Sequence, residues 1–160
     1  MKAKFVIQIF PILLIFLFVY TATSKFLDNG KFVFQMGLAP VPLMKVFAPF
    51  LGWVIPAVES IIAISLATGF FYPTVKTKGL YASVILLSIF EIYITIMLLS
   101  GSHLPCTCGG IVSQMGWKQH LLFNAFFILG GILSIKHSKK EKPLGPFING
   151  KDDHKILSRA

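Results

Sequence analysis

The sequence predicts an all-α integral membrane protein: a bundle of four transmembrane helices, with a short interfacial segment between the first two. Three observations carry that prediction. Hydrophobic residues make up 55% of the 160 and charged residues only 13%, whereas a soluble domain carries about 25% charged residues. The apolar residues fall into four runs of about twenty, the length an α-helix needs to cross the hydrocarbon core. The basic residues behind the net charge of +9 sit in tails and short loops. They therefore follow the pattern of membrane-orientation signals and not that of a nucleic-acid-binding face.

The first run, Phe5 to about Ala22, is uncharged and follows Lys2 and Lys4. A signal peptide is the rival interpretation, because the basic start and the small residues Thr21-Ala22-Thr23-Ser24 imitate a cleavage region. The apolar segment exceeds the roughly 7–15 residues of a signal core and reaches spanning length, which favours a retained helix. Pro11 should kink this helix or sit near its start. Ser24-Lys25 closes it, and Lys25 either reaches a carboxylate or snorkels to the interface, snorkelling being the default.

Residues 23 to 48 mix Lys25, Asp28, Lys31 and Lys45 with Phe26, Phe32, Phe34 and Met36. Gly37, Pro40 and Pro42 break the segment too often for it to span, so a loop with a short amphipathic piece in the interface is expected. The second run extends from about Phe50 to Phe70, the third from about Leu80 to Ser100, and the fourth from Trp117 to Ile135 with Lys118 and His120 near its start. Trp53, Tyr72, Tyr81 and Trp117 fall near predicted ends, where amphipathic rings favour the headgroup region. Gly130-Gly131 should let the last helix approach its neighbours closely. Residues 1–136 form the membrane domain; residues 137–160 form a basic tail that cannot bury enough apolar area to fold alone and is expected to stay disordered against anionic lipid.

Orientation follows from the distribution of Lys and Arg. Eleven lie in the N-terminus, the 71–79 loop and the tail, against four (Lys25, Lys31, Lys45 and Lys118) on the other side. The positive-inside rule then puts both termini in the cytoplasm and the loop before the fourth run outside it.

That loop holds both cysteines, in Pro105-Cys106-Thr107-Cys108-Gly109-Gly110. A disulfide between residues so close in the chain closes a very small ring whose geometry cannot relax, so it is easily reduced, as labile and catalytic disulfides are. As a staple it would add little, since loop-entropy stabilisation grows with loop length. A redox-active dithiol of Cys106 and Cys108 is the functional interpretation. Two inert thiols, or a soft-metal site with His103 in H-x-x-C-x-C, are its alternatives. Nearby His103 and Lys118 would favour a thiolate.

Glu59 and Glu91 interrupt otherwise uncharged stretches, and ionisable residues at such depth usually face a bundle interior. Each lies nine residues from the outer end of its run, roughly 14 Å deep at the helical rise, so the two are placed to meet. His120 and Asn124 share a helix face one turn apart. Together Glu59, Glu91, His120 and Asn124 would form a polar track below the cysteine loop, serving proton movement or a quinone headgroup. The plainer alternatives are carboxyls that hydrogen-bond between helices as glue and, for His120, an ordinary interfacial residue.

The Ser24-Lys25-Phe26 exit from the first run, Pro56-Ala57-Val58-Glu59 in the second, the C-x-C-G loop and the Trp-initiated fourth run carrying Asn124 together resemble the MauE family of methylamine-utilisation proteins. That family is a branch of the DoxX-like membrane proteins. The resemblance covers roughly residues 5 to 136, with Cys106-Thr107-Cys108-Gly109 its most specific part. Gly109-Gly110-Ile111 departs from it, since an aromatic residue commonly precedes the glycine. It implies a multi-pass protein of the bacterial cytoplasmic membrane, a periplasmic cysteine loop and a thioredoxin-like periplasmic partner. It further implies a cysteine-containing client, whose maturation or disulfide formation the C-x-C pair supports as electron carrier. The polar track suggests a quinone as the one cofactor, and no metal ligands are assigned. Two other classes stay open: a non-catalytic scaffold for a periplasmic maturation factor, and a thiol-based metal handler.

Overall fold

The computed structural model describes residues 2–39, 42–100 and 116–140. The cysteine loop, with His103, Cys106 and Cys108, and the tail beyond residue 140 lie outside the described residues. Five helices follow one another: α1 (Lys2–Leu27), α2 (Asn29–Gly37), α3 (Met44–Thr68), α4 (Pro73–Leu99) and α5 (Trp117–Lys140). All but α2 are long and apolar enough to cross a membrane, over Ile9–Leu27, Met44–Thr68, Pro73–Leu99 and Lys118–Ser138.

The four long helices close a ring in which α1 packs on α3, α3 on α4, α4 on α5 and α5 back on α1. Lipid tails are as apolar as leucine, so association between spans depends on close fit and internal hydrogen bonds. Leu14 and Phe18 of α1, Leu66 of α3, Leu80 and Leu87 of α4 and Phe127 of α5 fill the centre. The two glycines of α5 set its approach to both neighbours. A Cβ at Gly130 would run into the Phe10 ring of α1, and one at Gly131 would come within 2.7 Å of Val84 of α4. Polar residues in the lipid-facing stretches are satisfied locally: Ser60, Ser65, Ser88 and Thr95 each donate to the carbonyl four residues back, so none needs a partner across the bundle.

Helix boundaries differ from the apolar runs where the ends are polar or carry proline. α1 continues through Ser24-Lys25 to Leu27. α4 starts at Pro73, not Leu80: Tyr72 is extended and Pro73 occupies the first turn, where its missing N–H costs nothing. α3 starts at Met44, not Phe50, after Leu43 in a left-handed conformation at φ 67°. α3 also contains Pro49 and Pro56.

Pro56 explains how the interfacial segment docks. Lacking an N–H, it leaves the Gly52 carbonyl without its usual intrahelical donor. Asn29, at the start of α2, donates its Nδ2 to that carbonyl at 2.7 Å. Gly52 has no Cβ, and one built there would strike Val33 of α2. Missing donor and missing side chain together let α2 seat on α3, burying Phe32 and Met36 against Ala48.

Candidate functional site

Because consecutive spans alternate in direction, the end of α1, the start of α3, the end of α4 and the start of α5 share one end of the bundle. Ser100 and Gly116, which flank the cysteine loop, belong to that end. Here the polar residues of four helices converge.

Lys25 is 3% exposed, and its Nζ lies 2.6 Å from Oε1 of Glu59, itself 1% exposed. Snorkelling is therefore overturned for Lys25. It sits two residues before the end of α1, and its long stem turns inward because a carboxylate on the neighbouring helix offers its charge a better partner than headgroup water. Thr21, one turn earlier on α1, faces the same carboxylate. The ammonium also lies 5.8 Å from the ring centroid of Phe32 on α2 and 5.4 Å from that of Phe90 on α4, within cation–π range.

Lys25, Thr21, Glu59, His120 and Asn124 line one small cavity, closed by Phe18, Leu87 and Phe123 among others. About 20 Å³ is open to the centre of a water molecule, room for roughly one water. His120 and Asn124 are 3% and 4% exposed, so His120 belongs to the interior and not to the interface. Glu59 Oε2 and Asn124 Nδ2 are both buried.

Glu91 takes a different place from the one depth alone suggested. It is half-buried and faces His120 and Asn124 from α4, while the direct partner of Glu59 is Lys25. Three of the four polar-track residues thus line one cavity, with Glu91 beside two of them. Cys106 and Cys108 lie outside the described residues. Sequence reasoning undervalued Lys25, although a signal was present: apart from Lys45 at the start of α3, Lys25 and Glu59 are the charged residues of the spans Ile9–Leu27 and Met44–Thr68, and they have opposite sign.

Chemically, the site is a charge-neutral ion pair in hydrocarbon that shares a cavity with an imidazole and an amide, both faced by a second carboxyl. The ammonium offsets a carboxylate whose desolvation would otherwise be costly, so the pair holds two ionised groups in hydrocarbon with no net charge.

Fold and site define a multi-pass membrane protein with a buried ionisable centre at the loop-bearing end of a four-span bundle. The sequence profile described as "Methylamine utilisation protein MauE" matches residues 3–136, and the chain belongs to that family. No curated protein and no solved structure matches it.

Proposed function

We propose that this protein carries electrons through Cys106 and Cys108, exchanging with a thioredoxin-fold partner on the far side of the cytoplasmic membrane. The exchange supports maturation or disulfide formation of a cysteine-containing client in methylamine utilisation. One observation supports this above the rest: the Lys25–Glu59 pair, His120 and Asn124 line a common cavity at the bundle end where the C-x-C loop leaves α4 and enters α5. Interconversion of a dithiol and a disulfide moves two protons with two electrons, so a carrier at the membrane needs ionisable groups nearby. The inner pair is charge-balanced and polar enough to serve. The excess of Lys and Arg in the N-terminus, the 71–79 loop and the tail supports an orientation with both termini in the cytoplasm and the cysteine loop outside it. Residues 137–160 would be a basic cytoplasmic tail, the first four of which continue α5 to Lys140.

The test is the redox state of Cys106 and Cys108 in native membranes, read by differential alkylation and mass spectrometry before and after mild reduction. A pair that cycles between disulfide and dithiol, and traps a partner as a mixed disulfide when one cysteine is changed to serine, supports the relay. A pair that stays reduced under oxidising conditions refutes it. Partner capture by the Cys106→Ser/Cys108→Ser protein would then identify a scaffold, and retained copper or zinc a metal handler. If Glu59→Gln with Glu91→Gln leaves cycling unchanged, the polar track has no part in it.

A further inference from the structure

Beside the polar cavity lies a second, much larger one. A pocket of about 230 Å³ opens between α2, α3 and α4, with Lys25 as the one charged residue in its lining. Phe32 of α2, Ile55 of α3, and Phe90 and Tyr93 of α4 form its walls. Its rim residue Ile89 is 55% exposed on the outer surface of the bundle, so the pocket opens sideways toward the hydrocarbon. Lys25 and Phe90 line both cavities, and the ammonium lies 5.8 and 5.4 Å from the ring centroids of Phe32 and Phe90 in the wall of the larger one.

We infer that this pocket binds the head of a lipid-soluble quinone, with a ring carbonyl accepting a hydrogen bond from Lys25 Nζ and the apolar tail left in the bilayer. Four features select that class. Lys25 is already neutralised by Glu59 at 2.6 Å, so a fatty acid or phosphate headgroup would bring an uncompensated negative charge into hydrocarbon; a neutral ligand brings none. An ammonium has three donors, and Glu59 takes one of them, which leaves capacity for a carbonyl acceptor. Aromatic walls on two helices suit a flat ring. The lateral opening admits a ligand that partitions into lipid and has no path through water. α2 completes the wall opposite α4, held there by the Asn29 bond to the Gly52 carbonyl.

The inference draws on the proposed relay for one point alone, that the bound quinone would be the membrane partner of the cysteine pair. Binding itself does not depend on the relay. The experiment photolabels the full-length protein in lipid nanodiscs with an azidoquinone and maps the adducts by mass spectrometry, with decylubiquinone and oleate as competitors. Adducts are expected on the peptides containing Phe32 and Phe90–Tyr93, competed by decylubiquinone and not by oleate. Ile55→Trp, which fills the pocket, should lower labelling at least tenfold, while Ile61→Trp on the exposed face of the same helix should leave it unchanged. Adducts scattered over the lipid-facing surface, equal competition by oleate, or wild-type labelling of Ile55→Trp would each overturn the site. Cys106→Ser/Cys108→Ser separates the two proposals: labelling should persist in it. Loss of the site with cysteine cycling intact removes the quinone alone, and labelling beside a pair that never cycles removes the relay alone.

Discussion

Breaking the Lys25–Glu59 pair should destabilise the bundle from either side, and removing both charges should restore most of the loss. At 2.6 Å and an effective dielectric of about 20, the Coulomb attraction is roughly 6 kcal/mol. Desolvation of the two ions takes back much of this, so the pair adds little over well-packed apolar side chains, whereas a single survivor leaves a buried charge uncompensated at about 3–5 kcal/mol. The two single variants should not be equal. After Glu59→Gln, the Lys25 ammonium is two residues from the end of α1 and can swing out to the headgroups, so the cost falls near 3 kcal/mol, the lower end of that range. After Lys25→Met, Glu59 sits mid-helix on α3 with no such exit, and the cost falls near 5 kcal/mol, the upper end. Lys25→Met/Glu59→Gln should lie within about 2 kcal/mol of the unaltered protein, which makes the coupling between the two substitutions about 6 kcal/mol. Unfolding of the four proteins by SDS in mixed micelles, followed by circular dichroism, measures all three values. Single variants within about 1 kcal/mol of the parent, or a double variant as costly as the sum of the two, would refute the pair as a mutually dependent buried unit.

Other consequences of the packing can be checked by the same unfolding assay together with hydrogen exchange. Asn29→Ala strips the Gly52 carbonyl of its donor and should cost about 1–2 kcal/mol, seen as faster hydrogen exchange across α2; unchanged exchange there would mean that α2 is held by packing alone. Gly130→Ala places a methyl in the space of the Phe10 ring and should destabilise by about 1–3 kcal/mol. Gly30→Ala, with nothing within 4 Å of its new Cβ, should stabilise by about 0.5–1 kcal/mol through helix propensity. Leu43→Gly relieves a left-handed backbone at a residue 68% exposed and should raise stability by up to about 1 kcal/mol; a loss would show that its side chain contributes more to packing than its backbone costs.

Much of the site was legible one residue at a time. Glu59, His120 and Asn124 stood out because polar groups are costly in a span and must therefore be accommodated somewhere. Their company was harder to read. Equal depth suggested that Glu59 meets Glu91, yet depth fixes only the coordinate along the helix axis. Which residues face each other depends on how far each helix is rotated about that axis. The rotation that buries Leu14 and Phe18 of α1 turns Lys25 inward with them, since positions four and seven apart share a face. The seating of α2 was illegible for a related reason: Pro56 is visible in the sequence, but the donor that answers the carbonyl it orphans at Gly52 is Asn29, twenty-three residues before Gly52.

By itself, then, the sequence determined the class of the protein, the number of its spans and the small residues that let them pack. Transfer of a side chain from water to lipid is a local property that sums along a helix, and glycine is small wherever it sits. Tertiary structure decided the inward turn of Lys25, its pairing with Glu59, the place of Glu91 beside His120 and Asn124, and the apolar pocket sharing Lys25 with the polar cavity. Each of these joins residues far apart in the chain, and the rotations that bring them together are set by the packing of the whole ring at once.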